Sequence, residues 1–124
     1  MKRRILSVGQ CRPDHGSLVR LFNTLFPGIE IEEADVAKSA LEKAQNTQYD
    51  LILINRKLDA DYSDGLEIIR HLKSDEKTSQ TPIMLVTNYP EYHQEAVSLG
   101  AVPGFGKAQL NDPKTHELLQ AILA

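Results

Sequence analysis

Four consecutive apolar residues and one polar residue stand near the middle of the chain: Leu51-Ile52-Leu53-Ile54-Asn55. A strand at the surface of a sheet alternates apolar and polar residues, whereas a parallel strand covered by helices on both faces is apolar throughout. The four apolar residues therefore predict a central strand of a parallel sheet, and Asn55 is the first polar residue at its carboxyl end.

Short apolar runs and longer amphipathic segments alternate strictly on either side of this strand. Parallel strands need crossover connections, usually helices, so this alternation is typical of a doubly wound sheet. We predict an α/β fold with three layers in the order α/β/α, in which helices cover both faces of a five-stranded parallel sheet. The predicted strands lie at residues 5–9, 29–33, 51–54, 83–86 and 101–106, each followed by a helical pattern.

The fifth predicted strand has the weakest pattern. Pro103, Gly104 and Gly106 all lie within it. Such residues are tolerated mainly in an edge strand, so we place this strand at an edge of the sheet.

The composition indicates one globular domain over residues 1–124. The chain has 41% hydrophobic and 25% charged residues, and its net charge is −3. The negative charge and a single basic run, residues 2–4, argue against a nucleic-acid partner. No apolar stretch is long enough for a signal peptide or a membrane-spanning helix, and the single cysteine, Cys11, has no internal disulfide partner. We expect a cytoplasmic protein in which Cys11 is an inert thiol.

The candidate site residues follow from the fold, because doubly wound sheets bind ligands outside the carboxyl ends of their strands. The residues at these positions are Gly9, Gln10, Asn55, Thr87 and Lys107.

Four segments carry a recognisable pattern: YDLILIN at residues 49–55, DGLE at 64–67, TPIMLVT at 81–87 and GK at 106–107. Together they resemble the receiver domains of response regulators, the CheY-like family, and the resemblance extends over the whole chain. It implies the strand order 2-1-3-4-5 and a signalling module of a two-component phosphorelay, not an enzyme. The last helical pattern reaches the end of the sequence, so we expect no output domain within residues 1–124.

The resemblance also implies a role for each strand-end residue. Such receivers carry an acidic pair after the first strand, a phosphoacceptor aspartate after the third, serine or threonine after the fourth and lysine after the fifth. Thr87 and Lys107 match the last two positions, but Asn55 replaces the phosphoacceptor, and Gly9 and Gln10 stand where the acidic pair is expected. An amide lacks the nucleophilic oxygen of an aspartate, and Mg²⁺ prefers carboxylate ligands. We therefore predict a pseudo-receiver that is not phosphorylated and that binds Mg²⁺ weakly or not at all.

Further departures concern the residues around this pocket. Receivers commonly carry an aromatic switch residue three positions before the lysine, where this chain has Gly104. With no carboxylate at position 55, we hypothesise that Lys107 donates a hydrogen bond to the side-chain oxygen of Asn55. Asp14 is interpreted as an acid in the first turn of a helix, with the alternative that it reaches into the pocket.

A partner surface is predicted around the fourth helix and the fifth strand, which many receivers use for dimerisation or effector contact. Its candidate residues are Tyr89, Tyr92 and Phe105, although Phe105 should face the other side of its strand from Gly104 and helix packing explains Tyr92 equally well. The partner would be a histidine kinase, an effector or another receiver. A homodimer through helix 4, strand 5 and helix 5 is a further alternative.

Metal sites are not supported elsewhere in the sequence. The loop at residues 59–65 resembles the start of a calcium loop, but its glycine is one position late and Arg70 stands where an EF-hand needs glutamate. The four histidines are scattered without ligand spacing, so no zinc site is proposed.

Two functional alternatives stay open. A ligand or a redox change near Gln10, Cys11 and Asn55 could switch the domain. A flavodoxin-like protein would bind flavin at the same end of the sheet, but residues 10–17 lack the run of hydroxyl and glycine residues that would cradle a phosphate.

Overall fold

The computed structural model describes residues 3–124. Met1 and Lys2 lie outside the described residues, and Lys2 is one of the three residues of the basic run. Strands and helices alternate along the chain. The strands are β1 (Arg4–Val8), β2 (Glu30–Ala34), β3 (Leu51–Asn55) and β4 (Ile83–Val86). The helices are α1 (Arg12–Leu25), α2 (Ala37–Asn46), α3 (Gly65–Ser74), α4 (Pro90–Ser98) and α5 (Pro113–Leu123), with a short 3₁₀ helix at Lys107–Gln109.

The four strands form one parallel sheet in the order β2-β1-β3-β4. In register, Ile5 of β1 pairs with Ile31 of β2 on one side and with Leu51 of β3 on the other. All five residues of β3 are buried, and β4 pairs along its second side. The prediction of a central strand at residues 51–54 is therefore confirmed.

The predicted fifth strand is wrong as a strand of the sheet. Residues 101–106 run beside β4 but form only a single parallel bridge, between Val86 and Phe105. The N–H of Val102 donates to the carbonyl of Ile83 at 2.9 Å, and no regular ladder continues from it. The reason is local, because the ring of Pro103 fixes its φ angle and the neighbouring glycines disfavour regular strand geometry.

Helices cover both faces of the sheet, as predicted for a three-layer fold. Helices α2, α3 and α4 pack on one face, and α1 and α5 pack on the other. The alternation along β3 divides its side chains between the two cores: Leu51 and Leu53 face α1 and α5, whereas Ile52 and Ile54 face the opposite helices. No helix within residues 3–124 is long and apolar enough to cross a membrane.

The loop between β3 and α3 folds back onto the end of β3. The N–H of Gly65 donates to the carbonyl of Arg56 at 2.8 Å. A carboxylate oxygen of Asp64 accepts the N–H of Leu66 at 2.9 Å and so caps the start of α3. These bonds fix the backbone immediately after Asn55, the residue at the centre of the candidate site.

Candidate functional site

The candidate site lies where the carboxyl ends of the strands meet. Asn55 ends β3, Thr87 follows β4 and Lys107 begins the 3₁₀ helix. All three line a cleft of about 320 Å³. The structure thus brings together the three residues that the sequence places after different strands. The cleft is also lined by Arg56, Lys57, Val86, Asn88, Tyr89 and Tyr92.

Both polar groups of the Asn55 side chain are engaged. The side chain is buried, with 8% of the residue exposed. Its Nδ2 donates to the carbonyl of Gly9 at 3.1 Å, and its Oδ1 accepts the backbone N–H of Arg56 at 3.1 Å. An ionised aspartate has no donor and could not make the bond to Gly9. The amide therefore joins the ends of β1 and β3 in a way that the carboxylate of a phosphorylatable receiver could not.

Among residues 3–124 no hydrogen bond joins Lys107 to Asn55, so the hypothesised bond between them is wrong. Its Nζ lies 2.7 Å from Oδ2 of Asp14, a residue in the first turn of α1. A carboxylate is a stronger partner for an ammonium group than an amide oxygen, which accounts for the choice. Asp14 is thus the first-turn acid that the sequence predicts, and its side chain reaches the pocket lysine.

The pKa of Asp14 records the balance of forces at this pair. Partial burial raises the pKa, but the hydrogen bond from Lys107, a second one from Cys11 and the charge of Lys107 together lower it below the usual value for aspartate. Asp14 is consequently ionised at neutral pH. It neutralises the lysine that would face a phosphoryl group in a receiver of the kind this sequence resembles.

Thr87 is held by local bonds. Its Oγ1 accepts the N–H of Tyr89 at 3.3 Å, and its own N–H donates to the carbonyl of Phe105 at 3.2 Å. Its carbonyl accepts a hydrogen bond from Nε2 of His93 on α4 at 2.7 Å. The hydroxyl lines the cleft while capping the turn that leads into α4.

His93 packs beside Gly104, the position of the missing switch aromatic. A side chain on Gly104 would clash with the carbonyl oxygen of Leu85 and would meet the ring of His93. No space is left for an aromatic residue at position 104. Sequence reasoning missed the role of His93, and the only signal was a glycine where a large side chain is expected, which leaves room for a residue from another element.

The end of β1 carries no acid. Gly9 has a φ of 72° and packs so closely on Leu58 that a side chain there would clash with it. Nε2 of Gln10 reaches back to the carbonyl of Val8 at 3.5 Å, and Cys11 is partly exposed just before α1. At the two positions expected to hold the acidic pair, Gly9 therefore packs against Leu58, and Gln10 contacts the nearby backbone of β1.

The residues present do not match the ligand set of a magnesium site. Within residues 3–124, no group of three or more histidine, cysteine, aspartate or glutamate side chains is placed to hold a metal ion. Nearby carboxylates serve other partners: Asp14 pairs with Lys107, Asp64 caps α3 and Asp61 accepts the N–H of Ser63 at 3.0 Å. At the positions of the acidic pair and the phosphoacceptor, Gly9, Gln10 and Asn55 offer only amide and carbonyl oxygens, which bind Mg²⁺ less well than carboxylates.

Aromatic residues border the cleft on the α4 side. The ring of Tyr89 packs edge-to-face on the ring of Tyr92, with 6.1 Å between the centroids, and Tyr89 is 60% exposed. The guanidinium of Arg56 lies 4.2 Å above the Tyr92 ring, a cation–π contact that the sequence did not indicate. Phe105 is only 1% exposed and packs in the core under α1 and α5, so it adds nothing to the predicted partner surface.

Comparison with known proteins places this fold and site in a family. The sequence matches the response regulator receiver domain family over residues 13–121. The signal receiver domain of a DNA-binding response regulator from Colwellia psychrerythraea 34H superposes with a TM-score of 0.83, at 20% identity over 98% of each chain. Chemotaxis protein CheY4 of Vibrio cholerae gives 0.77, at 24% identity over 99% of this chain and 100% of that one. No curated protein matches the sequence.

A third similar structure carries a metal ion. The receiver domain of a sensor histidine kinase from Pseudomonas aeruginosa PAO1, with magnesium coordinated in its active-site cleft, gives a TM-score of 0.72. Its identity is 22% over 99% of this chain and 95% of that chain. At such identities the solved structures establish a shared fold, while the chemistry of the cleft follows from the residues of this chain.

The parallel sheet, with its polar cleft at the carboxyl strand ends, defines a CheY-like α/β domain. The chain belongs to the response regulator receiver domain family of two-component systems. This membership takes the place of the flavodoxin-like alternative.

Proposed function

We propose that this receiver is not phosphorylated and that it signals through contacts with other proteins. The observation that carries the proposal is the Asn55 side chain, which donates to the carbonyl of Gly9 and accepts the N–H of Arg56. A residue with neither a negative charge nor a nucleophilic oxygen cannot accept a phosphoryl group as aspartate does. The amide instead has a structural role at the phosphoacceptor position.

The neighbouring residues support the same proposal. Lys107 is paired with Asp14, and the space of the switch aromatic is filled by the carbonyl of Leu85 and by His93. The proposal includes weak or absent Mg²⁺ binding, because Gly9 and Gln10 offer amide and carbonyl oxygens at the positions of the acidic pair. In this view the cleft is fixed in one conformation without a phosphoryl group.

The partner is proposed to be another signalling protein of a bacterial two-component pathway: a histidine kinase, an effector or a second receiver. The exposed ring of Tyr89 at the start of α4 is the best-placed candidate contact. Aromatic residues are enriched at the centres of protein interfaces. A cytoplasmic location and the absence of a nucleic-acid partner belong to the same proposal, supported by a single cysteine and a net charge of −3.

The first experiment is a residue-resolved NMR titration with Mg²⁺ and beryllofluoride, a phosphoryl mimic. We expect no saturable shifts at Asn55, Thr87 or Lys107 in the natural protein. The Asn55→Asp and Asn55→Asp/Gln10→Asp variants provide the comparison, because they restore one carboxylate and then a second. We expect measurable binding only in the double variant. Saturable shifts of the natural protein at stoichiometric ligand would overturn the proposal.

A second experiment tests the protein contact. Calorimetry would compare the affinity of a candidate kinase, effector or receiver for the natural protein with its affinity for Tyr89→Ala. The matched control is Tyr62→Ala, since Tyr62 is also exposed but lies in the loop before α3. A partner that binds only after phosphoryl donor is added would contradict the proposal.

A further inference from the structure

The cleft beside Asn55 has a charge pattern that the proposed function does not use. Its volume of about 320 Å³ is near the lower end of the range that holds small ligands. Three of its lining side chains are cationic, Arg56, Lys57 and Lys107, and none is a carboxylate. A concave surface lined by one sign of charge attracts ligands of the opposite sign. The cleft is therefore suited to an anion.

Arg56 supplies a fixed binding group in this cleft. Its guanidinium is held over the ring of Tyr92, and its Nη1 forms an ion pair with Oδ1 of Asp64 at 3.6 Å, a distance too long for a hydrogen bond. Its Nε is buried without a hydrogen-bond partner among residues 3–124. A planar guanidinium with unused donors is well suited to carboxylate or phosphate oxygens.

Tyr89 indicates that the ligand also has an apolar part. Its ring lines the same cleft, and most of its surface is accessible to solvent. The edge-to-face contact with Tyr92 holds the ring in place. An exposed aromatic ring beside fixed cations can pack against a flat apolar group while the cations bind an attached anion.

We propose that this cleft binds a small organic anion with a flat apolar body, without a covalent bond and without Mg²⁺. Arg56 and Lys107 bind the anionic head group, and Tyr89 packs on the apolar body. This inference goes beyond the proposed function, because a receiver that is not phosphorylated can contact its partners with or without such a ligand.

Asp14 acts as an internal competitor in this arrangement. Its carboxylate forms an ion pair with Nζ of Lys107 at 2.7 Å, so an incoming anion must share Lys107 with Asp14 or displace the Asp14 carboxylate. Removal of the Asp14 charge therefore strengthens binding of the external anion. This expectation distinguishes the cleft from a surface that attracts anions only through its general charge.

The test uses benzoate and phenyl phosphate as probes, in NMR titrations of the full chain in buffer without Mg²⁺. In Asp14→Asn we expect saturable shifts at Arg56, Tyr89 and Lys107, with a dissociation constant about tenfold lower than in the natural protein, the worth of one charged hydrogen bond. Glu76→Gln, which removes an exposed acid from the loop after α3, is the charge-matched control and should leave the affinity unchanged.

Arg56→Gln should weaken binding about tenfold for the same reason, whereas Arg70→Gln, an exposed arginine on α3, should have no effect. Inorganic phosphate tests the anionic group without the aromatic body, and benzyl alcohol tests the aromatic body without the anionic group. Both should bind less tightly than the aryl anions. The inference fails if neither aryl anion binds Asp14→Asn saturably, if Arg56→Gln binds normally, or if either comparison compound binds as tightly. The beryllofluoride experiment is distinguished from this one because it tests Mg²⁺-dependent binding at position 55, whereas these probes are added without Mg²⁺.

Discussion

Nζ of Lys107 lies 2.7 Å from Oδ2 of Asp14, so the lysine at the end of the sheet is paired with a carboxylate from α1. The pair connects the first turn of α1 with the start of the 3₁₀ helix, two elements far apart in the sequence. The Asp14 carboxylate thus places a negative charge beside the cleft, although Asp14 lies in α1 and not at the end of a strand. The pocket lysine thus has an internal partner in the absence of any phosphoryl group.

The first prediction concerns the ionisation of Asp14. In Lys107→Met the pKa of Asp14 should rise, because burial still raises it while the hydrogen bond and charge of Lys107 no longer lower it. A carboxyl-detected NMR titration measures this pKa directly. Lys114→Met, at the start of α5, is the control and should leave the pKa of Asp14 unchanged. An unchanged pKa in Lys107→Met would mean that the pair does not form in solution.

The same pair has a defined effect on stability. The folded-state pKa of Asp14 lies below its unfolded value, so its contribution is present above the unfolded pKa and is lost as pH falls through the folded pKa. Because both side chains are partly exposed, we expect a coupling energy of up to about 1 kcal/mol at neutral pH and low salt. A double-mutant cycle of Asp14→Asn and Lys107→Met, unfolded in urea at neutral and acidic pH, measures it.

The second prediction concerns Asn55→Asp. At neutral pH the new carboxylate cannot donate to the carbonyl of Gly9 and places a charge at a buried position, so the protein should lose about 1–3 kcal/mol of stability. The loss should shrink at acidic pH, where a protonated carboxyl can donate again. Urea unfolding measures both values. The exposed Asn111→Asp, as control, should change stability by less than about 0.5 kcal/mol. Equal stability of natural protein and Asn55→Asp at neutral pH would contradict the structural role of the amide.

The architecture was largely predictable because strand burial and helix periodicity are local signals. The continuous apolar run at residues 51–54 and the alternation of elements predicted the sheet and its layers. The edge was less predictable, because a segment such as 101–106 becomes a strand only if its backbone can follow β4 along several residues. Pro103 and the glycines weakened that pattern, but they did not reveal that a single bridge remains.

The sequence predicted where the site residues lie, but it did not predict which residues they contact. Asn55, Thr87 and Lys107 do line one cleft, because parallel strands end at the same edge. The partner of Lys107 was not predictable, since it depends on how α1 is placed relative to the 3₁₀ helix, a matter of packing between distant segments. Arg56 over Tyr92 was missed for the same reason.

The third prediction concerns Gly104→Ala. A side chain at position 104 would clash with the carbonyl oxygen of Leu85 and meet the His93 ring, so the variant should be less stable by about 1–3 kcal/mol. The matched control is Gly16→Ala in α1, where a new methyl would meet only the end of Arg20 at 3.7 Å. That variant should be more stable by about 0.5–1 kcal/mol, because alanine favours a helix interior. Thermal and urea unfolding compare the two, and a Gly104→Ala protein as stable as the natural one would exclude the close approach at this position.

The fourth prediction concerns stability at alkaline pH and rests on Tyr49. Its hydroxyl donates to Oε1 of Glu32 at 2.8 Å, and burial, followed by this hydrogen bond and the charge of Glu32, raises the pKa of Tyr49 to about 12. The unfolded chain ionises this tyrosine near pH 10, so the contribution is complete below pH 10 and is lost as pH rises toward 12. The difference in unfolding free energy between the natural protein and Tyr49→Phe should therefore shrink between these values. Subtracting the Tyr49→Phe curve removes the titration of lysines and other tyrosines, and a difference that stays constant up to pH 12 would show that Tyr49 ionises normally in the folded protein.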